Sequence, residues 1–343
     1  MGVSIMATSF EHARSLSVMV TTTPFAERDP TPAALLTETG IPWSVNPLGR
    51  RLQPREVLEV IRGHSVVIAG TETISGETIA ACAPTLKAIC RVGIGLDGVD
   101  LQAARRHGVQ VSYTPDAPAP AGAGLTVGLM LSVLRQTHLA DRDLRAGLWK
   151  RRTGLRLAEC VIGVIGVGRI GRKVIRHILG GFPGVKILAH DIAPEFDLFS
   201  DALNGSAVVW TDRETILRQS DIITLHAPST RKTRGMIAAE TLSMMKPGAV
   251  LINTARGDLV DDVALVSALE NGRLSGAAID VFPQEPYSGP LQNCRNLLLT
   301  CHMGSMTVDC RARMEIEATQ EAVRVLLGRP LLSSAPNDEI DDE

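Results

Sequence analysis

Short apolar runs recur along the chain, each closed by glycine, proline or a polar cluster, which is the pattern of buried parallel strands alternating with helices. In the first part this predicts strands at 16–22, 65–69, 86–91 and 109–113, with helices over 54–62, 76–83 and 101–107 between them. The segment 114–121, TPDAPAPA, breaks the pattern and reads as a hinge. A long helix over 125–145 follows, apolar on nearly every turn and so expected to be buried, in part against a second subunit. A second α/β series then carries strands at 161–165, 185–189, 208–209, 222–225, 249–253, 276–280 and 297–300. The last helix, 306–327, has no strand after it, and the simplest topology returns it to the first series. The expected division is therefore 17–117 with 303–330 as one domain and 118–302 as the other. Residues 1–16 and 331–343 read as flexible tails, the acidic stretch 335–343 as disordered.

The stretch 159–195 is the most specific in the chain. An apolar strand runs into Gly166, Gly168 and Gly171, a G-x-G-x-x-G turn, and then into a helix whose Ile170, Val174, Ile175, Ile178 and Leu179 share one face. The first glycine permits the tight turn, the second lets backbone approach a pyrophosphate, and the third lets helix pack closely on strand. The next strand ends at Asp191, where an acid would accept hydrogen bonds from an adenosine ribose. Asp191 would repel a 2′-phosphate, and Ile192-Ala193-Pro194 supplies no arginine to hold one, so NAD is favoured over NADP.

Composition narrows the class without deciding the chemistry. With 343 residues, 45% of them hydrophobic and 21% charged, and a formal net charge of −2, there is no electrostatic case for nucleic acid or an anionic membrane. The richest basic stretch, 145–156, reads as a solvated helix end. No apolar run approaches the roughly 20 residues that span a bilayer. Cys82, Cys90, Cys160, Cys294, Cys301 and Cys310 show no zinc or C-x-x-C spacing, so no metal site is expected, small buried thiols are the default, and a reducing cytoplasm fits.

Ligands of open α/β sheets bind beyond the carboxyl ends of the strands. Four successive predicted ends carry His226-Ala227-Pro228, Thr254-Ala255-Arg256-Gly257, Asp280 with Glu285-Pro286, and Cys301-His302. Arg256 alone reads equally as a structural ion pair, and His302 alone as a core histidine. Together they supply what ketone reduction needs. A guanidinium grips a carboxylate and polarises the adjacent carbonyl. An imidazole delivers a proton as hydride arrives from a nicotinamide. A carboxylate beside that imidazole keeps it oriented and protonated.

The chain resembles the D-isomer-specific 2-hydroxyacid dehydrogenase family, in particular its phosphoglycerate-dehydrogenase branch, from about residue 55 to 328. The resemblance rests on RVGIGLDGVDL (91–101), GVIGVGRIG (163–171), HAPSTRKTRGMI (226–237), NTARGDLVDDVAL (253–265), AAIDVFPQEP (277–286) and TCHMGS (300–305). It implies an α/β fold with a Rossmann-type NAD-binding domain and a discontinuous flavodoxin-like substrate domain, the two closing over the substrate. It implies that Arg256 binds the substrate, that His302 is the acid/base, and that Glu285 tunes His302. It further implies that Gly166, Gly168, Arg169, Ile170, Gly171 and Asp191 hold NAD, with His226, Pro228, Thr233, Thr254, Ala255, Asp280 and His302 lining it, and Asp280 on the nicotinamide amide. Backbone around Val92 and Gly93 would hold the substrate carboxylate, and a homodimer would form through the NAD-binding domain. The implied function is hydride transfer at C2 of a small 2-hydroxy or 2-oxo acid.

Departures from the family pattern bear on the substrate. Cys301 stands where a proline usually precedes the histidine. Gly122-Ala123-Gly124 replaces a loop ending in glutamate and would remove a cap from the hinge helix. Ala69 aligns with an arginine that grips a substrate phosphate, and nearby Glu72 would disfavour one. The regulatory domain of longer members of the branch is not in this sequence. Two other readings use the same scaffold: a non-enzymatic NAD(H)-sensing regulator, and a dehydrogenase of a one-carbon or phosphorus oxyanion.

Overall fold

The computed structural model describes residues 16–199 and 207–336. The chain divides into two compact units, one built from the residues up to Pro118 together with those from Met306 onward, the other spanning Ala119–Ser305.

The first unit runs β1 (Val18–Val20), α1 (Thr31–Glu38), β2 (Trp43–Val45), α2 (Pro54–Ile61), β3 (Val66–Ala69), α3 (Gly76–Cys82), β4 (Ala88–Arg91), α4 (Leu101–Arg106) and β5 (Gln110–Ser112). Its strands form a parallel sheet in the order β2-β1-β3-β4-β5, the flavodoxin-like winding. β3 and β4 are buried at every position, which is why they read as unbroken apolar runs rather than as alternations. The C-terminal helix Val308–Leu326 belongs to this unit and packs on α1, β3 and β4. The sequence pattern left 23–53 unassigned because α1 buries only Pro32 and Leu36 and the edge strand β2 has no buried position.

The second unit opens with α5 (Ala119–Leu134) and α6 (Thr137–Arg145), followed by β6 (Val161–Ile165), α7 (Arg169–Gly181), β7 (Lys186–His190) and β8 (Ala207–Trp210). It continues through α8 (Arg213–Gln219), β9 (Ile222–Leu225), α9 (Ala239–Met244), β10 (Ala249–Asn253), α10 (Asp262–Glu270), β11 (Leu274–Ile279) and β12 (Leu297–Leu299). The seven-stranded sheet has the order β12-β11-β10-β9-β6-β7-β8, all pairs parallel, so the order reverses between β6 and β9. That reversal is where a doubly wound sheet opens a crevice for ligand.

Several expectations need correction. The single helix over 125–145 is two helices: α5 already starts at Ala119, and Gln136, in the left-handed region at φ 52°, separates it from α6. Pro120 is tolerated because it sits in the first turn, where its missing N–H costs no helical bond. The hinge segment is thus shortened, and Gly122 and Gly124 lie inside a helix instead of opening one. α5 is buried, but α6 buries only Leu139, and Leu144, Leu148, Trp149 and Leu155 are exposed. In the basic stretch 145–156 three arginines pair with neighbouring acids, Arg145–Asp141, Arg152–Asp143 and Arg156–Glu159, and Arg145 and Arg156 stay exposed, as a solvated helix end would.

The tail expected at 331–343 is partly ordered. Ala335 N–H donates to Val111 O at 2.8 Å and Tyr113 N–H to Ser333 O at 3.2 Å, while the Glu321 carboxylate caps the amides of Leu332 and Ser333. These bonds extend the edge at β5 through residue 335. Residues 1–15 and 337–343, for which flexibility was expected, lie outside the described residues, and Leu16 is buried. Among the described residues no helix is long and apolar enough to cross a membrane, and no cluster of His, Cys, Asp and Glu could hold a metal ion.

Candidate active site

The glycine turn is shaped by packing. Gly166 has φ +92°, and a Cβ there would stand 2.6 Å from the His226 carbonyl carbon. One on Gly171 would stand 2.0 Å from Gly166 O, so strand and helix approach too closely for any side chain. Gly168 is different: nothing lies within 4 Å of its Cβ position, which leaves the backbone open to a ligand. It is the N-cap of the thirteen-residue α7, and a helix N-terminus of this kind is suited to receive an anion. Asp191 follows β7 and its Oδ2 accepts from Val167 N–H at 2.7 Å, fixing the acid beside the turn. An open glycine, a helix N-terminus and a strand-end acid fit a dinucleotide. Ile170 is half-buried against Gly122, and Arg169 is exposed at the first helical position.

His226 follows β9 directly. Its ring is buried, although part of the residue is accessible, and burial pushes its pKa down to about 3. It is therefore neutral near neutral pH, with Nε2 3.0 Å from Thr224 Oγ1 and no partner for Nδ1 among the described residues. It supports the turn from behind and cannot serve as an acid. Thr233 closes its own loop, donating to Pro228 O at 2.6 Å and accepting from Thr230 N–H. Thr254 meets Thr126 at 2.8 Å.

Arg256 is held by the end of β10. Asn253 Nδ2 donates to Arg256 O at 2.8 Å, and its Oδ1 accepts from Ala255 N–H at 3.0 Å, so one buried amide sets the bend. The guanidinium is half-buried, with one nitrogen on Ala255 O. Gly257 then passes so close to residues 282–283 that a Cβ would lie 2.0 Å from Phe282 C. This contact brings the Arg256 loop against the loop bearing Glu285.

His302 Nδ1 lies 2.8 Å from Glu285 Oε2 and 3.0 Å from Oε1. A carboxylate accepts only, so Nδ1 carries the hydrogen and Nε2 is left without a bond to the described residues. Glu285 is oriented by Phe282 N–H, which donates to its Oε1 at 3.2 Å, and Tyr287 braces the loop by stacking on Phe282 and donating to Asp262. The His302 side chain is 42% exposed and Glu285 22%, so the pair is accessible. Cys301 is exposed too, not buried as a thiol beside a strand was expected to be, because the chain has already left β12.

Asp280 is fully buried, and its bonds run to the loop of His302. Oδ1 accepts from Thr300 Oγ1 at 2.6 Å and Met303 N–H at 2.9 Å, Oδ2 from Gly304 N–H at 3.0 Å, and its carbonyl from His302 N–H at 2.7 Å. This cage holds His302 at φ 50°, a conformation costly for a residue with a Cβ. The carboxylate expected to meet the nicotinamide amide thus spends three bonds on the histidine loop.

The first unit supplies a second polar cluster, beyond the ends of β1, β3 and β4. A small cavity of about 60 Å³ is lined there by Thr21, Thr22, Glu72, Val92, Arg51 and Arg311, among others. Arg51 and Arg311 carried no signal in the sequence, since they come from a loop and from the C-terminal helix, far apart in the chain. The expected role of Val92 and Gly93 changes: Val92 N–H donates to Ala69 O at 2.9 Å and Gly93 N–H to Thr114 Oγ1 at 2.9 Å. Neither amide is left to grip a carboxylate.

Residues 127–304 match the model of the NAD binding domain of D-isomer specific 2-hydroxyacid dehydrogenases. The chain is 39% identical over 282 residues to a glyoxylate reductase of Thermofilum pendens, covering 80% of this chain and 81% of that protein. It is 34% identical to a hydroxypyruvate reductase of Thermotoga maritima, covering 80% and 89% respectively. A crystal structure of a glyoxylate reductase from Paecilomyes thermophila superposes with a TM-score of 0.81 at 28% identity, over 94% of this chain and 99% of that one.

Proposed function

The chain belongs to the D-isomer specific 2-hydroxyacid dehydrogenase family, whose NAD-binding domain it carries, and from that premise we propose that it reduces a small, unphosphorylated 2-oxo acid to the 2-hydroxy acid. The observation that carries this reading is the accessible His302–Glu285 pair, with Nδ1 engaged and Nε2 available. NADH, when bound, supplies the hydride that adds to C2 of the acid. His302 Nε2 delivers the proton to the carbonyl oxygen, so that the C=O π bond becomes C–H and O–H. Arg256 grips the substrate carboxylate and polarises the same carbonyl; with the Val92 and Gly93 amides committed elsewhere, the carboxylate falls to the guanidinium. Glu285 fixes the orientation and the tautomer of His302. The relatives include a glyoxylate reductase and a hydroxypyruvate reductase as well as D-3-phosphoglycerate dehydrogenases; what supports an unphosphorylated substrate is Ala69 where the resemblance expects a phosphate-gripping arginine, with Glu72 nearby.

The exposed Leu144, Leu148, Trp149 and Leu155 support a homodimer through the second unit, which light scattering of the wild type and of Trp149→Glu would test. A sensing role without turnover is not favoured, because a sensor has no use for an oriented acid at the strand ends. The reading is tested by NADH oxidation with glyoxylate, hydroxypyruvate, pyruvate and phosphohydroxypyruvate. Turnover of at least one unphosphorylated acid is expected, and oxidation with none would refute it.

A further inference from the structure

The loop that follows β11 carries Phe282 and Glu285, and a single tyrosine fastens it to α10. Tyr287 Oη donates to Asp262 Oδ2 at 2.7 Å and accepts from Leu291 N–H at 3.3 Å, so the phenol is used both as donor and as acceptor. Its ring stacks on Phe282, with centroids 4.3 Å apart and planes at 24°. A Cβ at position 289 would stand 2.4 Å from the phenol oxygen, so glycine there makes room for the ring. Burial, and next the bond to Asp262, push the phenol up to about 12, and it stays a donor throughout the neutral range. Asp262 is the first residue of α10, whose Leu265 and Leu269 are buried in the core of the second unit. The acceptor thus sits on a fixed element.

Phe282 is also the residue whose N–H orients Glu285, donating to Oε1 at 3.2 Å, and Glu285 in turn meets His302 Nδ1 at 2.8 Å. We propose that Tyr287 is a positioning residue for the reaction: its bond to Asp262 holds Phe282 in place, and through Phe282 the Glu285 carboxylate that sets His302. The inference rests on reading the chain as a 2-oxo acid reductase that uses His302 and Glu285. Every contact in the relay lies within the second unit. A misplacement of about 1 Å at a reacting group can cost about a hundredfold in rate, so a loop bearing such a group needs a support of this kind. A tyrosine that served stability alone would lower Tm and leave the turnover of the folded protein unaltered.

The experiment measures kcat and KM for NADH-dependent reduction of hydroxypyruvate by the wild type, Tyr287→Phe, Glu285→Ala and the double variant, with folding checked by thermal melt. Tyr287→Phe keeps the stack and loses only the bond to Asp262. Its kcat should fall by about fivefold or more, with KM and NADH binding within about twofold of the wild type. In the Glu285→Ala background the same substitution should cost less than about twofold, because its effect passes through the carboxylate already removed. Asp262→Ala should repeat the loss, and Asp262→Asn, which keeps an acceptor oxygen, should recover most of it. An unchanged kcat in Tyr287→Phe, or a loss by the same factor with and without Glu285, would overturn the proposal while the wild type still turned over. A wild type that reduced no 2-oxo acid would overturn the reductase reading, and the proposal with it.

Discussion

The polar clusters of the two units are built differently. Beyond the sheet of Ala119–Ser305, each reactive side chain is held by its own loop or the one beside it: Arg256 by Asn253, Glu285 by Phe282 N–H, and the His302 loop by Asp280. In the first unit, by contrast, the cluster is stitched from distant parts of the chain, Thr21 to Glu72 and Thr22 to Arg311. One cluster offers an oriented acid and a guanidinium; the other offers hydroxyls, a buried carboxylate and anchored arginines. On the function proposed above, the second unit would carry the reaction, and changes there should slow every acid alike.

The largest effect expected is that of His302→Ala. Removing the proton donor should lower kcat by about a hundredfold to ten-thousandfold for every 2-oxo acid while NADH binding, read by fluorescence titration, stays within about twofold. Retained turnover with one acid would place part of the chemistry elsewhere. Arg256→Lys comes next. Lysine keeps the charge but loses the two-pronged grip, and kcat/KM should fall by about a hundredfold without change in the ranking of acids. A change of ranking would show that Arg256 distinguishes the acids rather than gripping the group they share.

NAD should be preferred to NADP by at least tenfold in kcat/KM, about 1.4 kcal/mol, because Asp191 is fixed beside the glycine turn and its charge would repel a 2′-phosphate. Equal efficiency with both would remove Asp191 from the ribose. The smallest effect concerns stability. The unfolded His226 takes up a proton near its ordinary value of 6.5, whereas the buried ring does so only near 3. Between those values the unfolded state binds the extra proton, so stability is lost as pH falls through the window. His226→Gln should flatten the acid side of a plot of Tm against pH, and an unchanged slope would show that the ring is accessible to protons.

The same contrast explains what could be read in the sequence. β6, β9 and β10 are predominantly apolar and almost wholly buried, so their bounds can be read from composition, and the glycine turn announces itself through sterics that no other residue satisfies. The break at Gln136 left no trace, because a left-handed glutamine lacks the glycine that marks such a bend. Residues 331–336 looked like a tail because their order comes from a carboxylate on the preceding helix rather than from their own composition. The cavity around Glu72 was invisible for a similar reason: Thr21, Arg51 and Arg311 form no motif, and only folding gathers them. Sequence showed Glu72 as a charge in a loop; the structure shows it buried, with Oε1 bonded to Thr21 and Gly70.

The most direct test of the reaction assigned to the second unit is kcat for hydroxypyruvate reduction in the wild type and in Glu285→Ala. The carboxylate 2.8 Å from Nδ1 holds the imidazole so that Nε2 is left for the proton. Removing it should lower kcat by about tenfold to a thousandfold, with NADH binding unchanged. An unchanged kcat would contradict the role given to the His302–Glu285 pair.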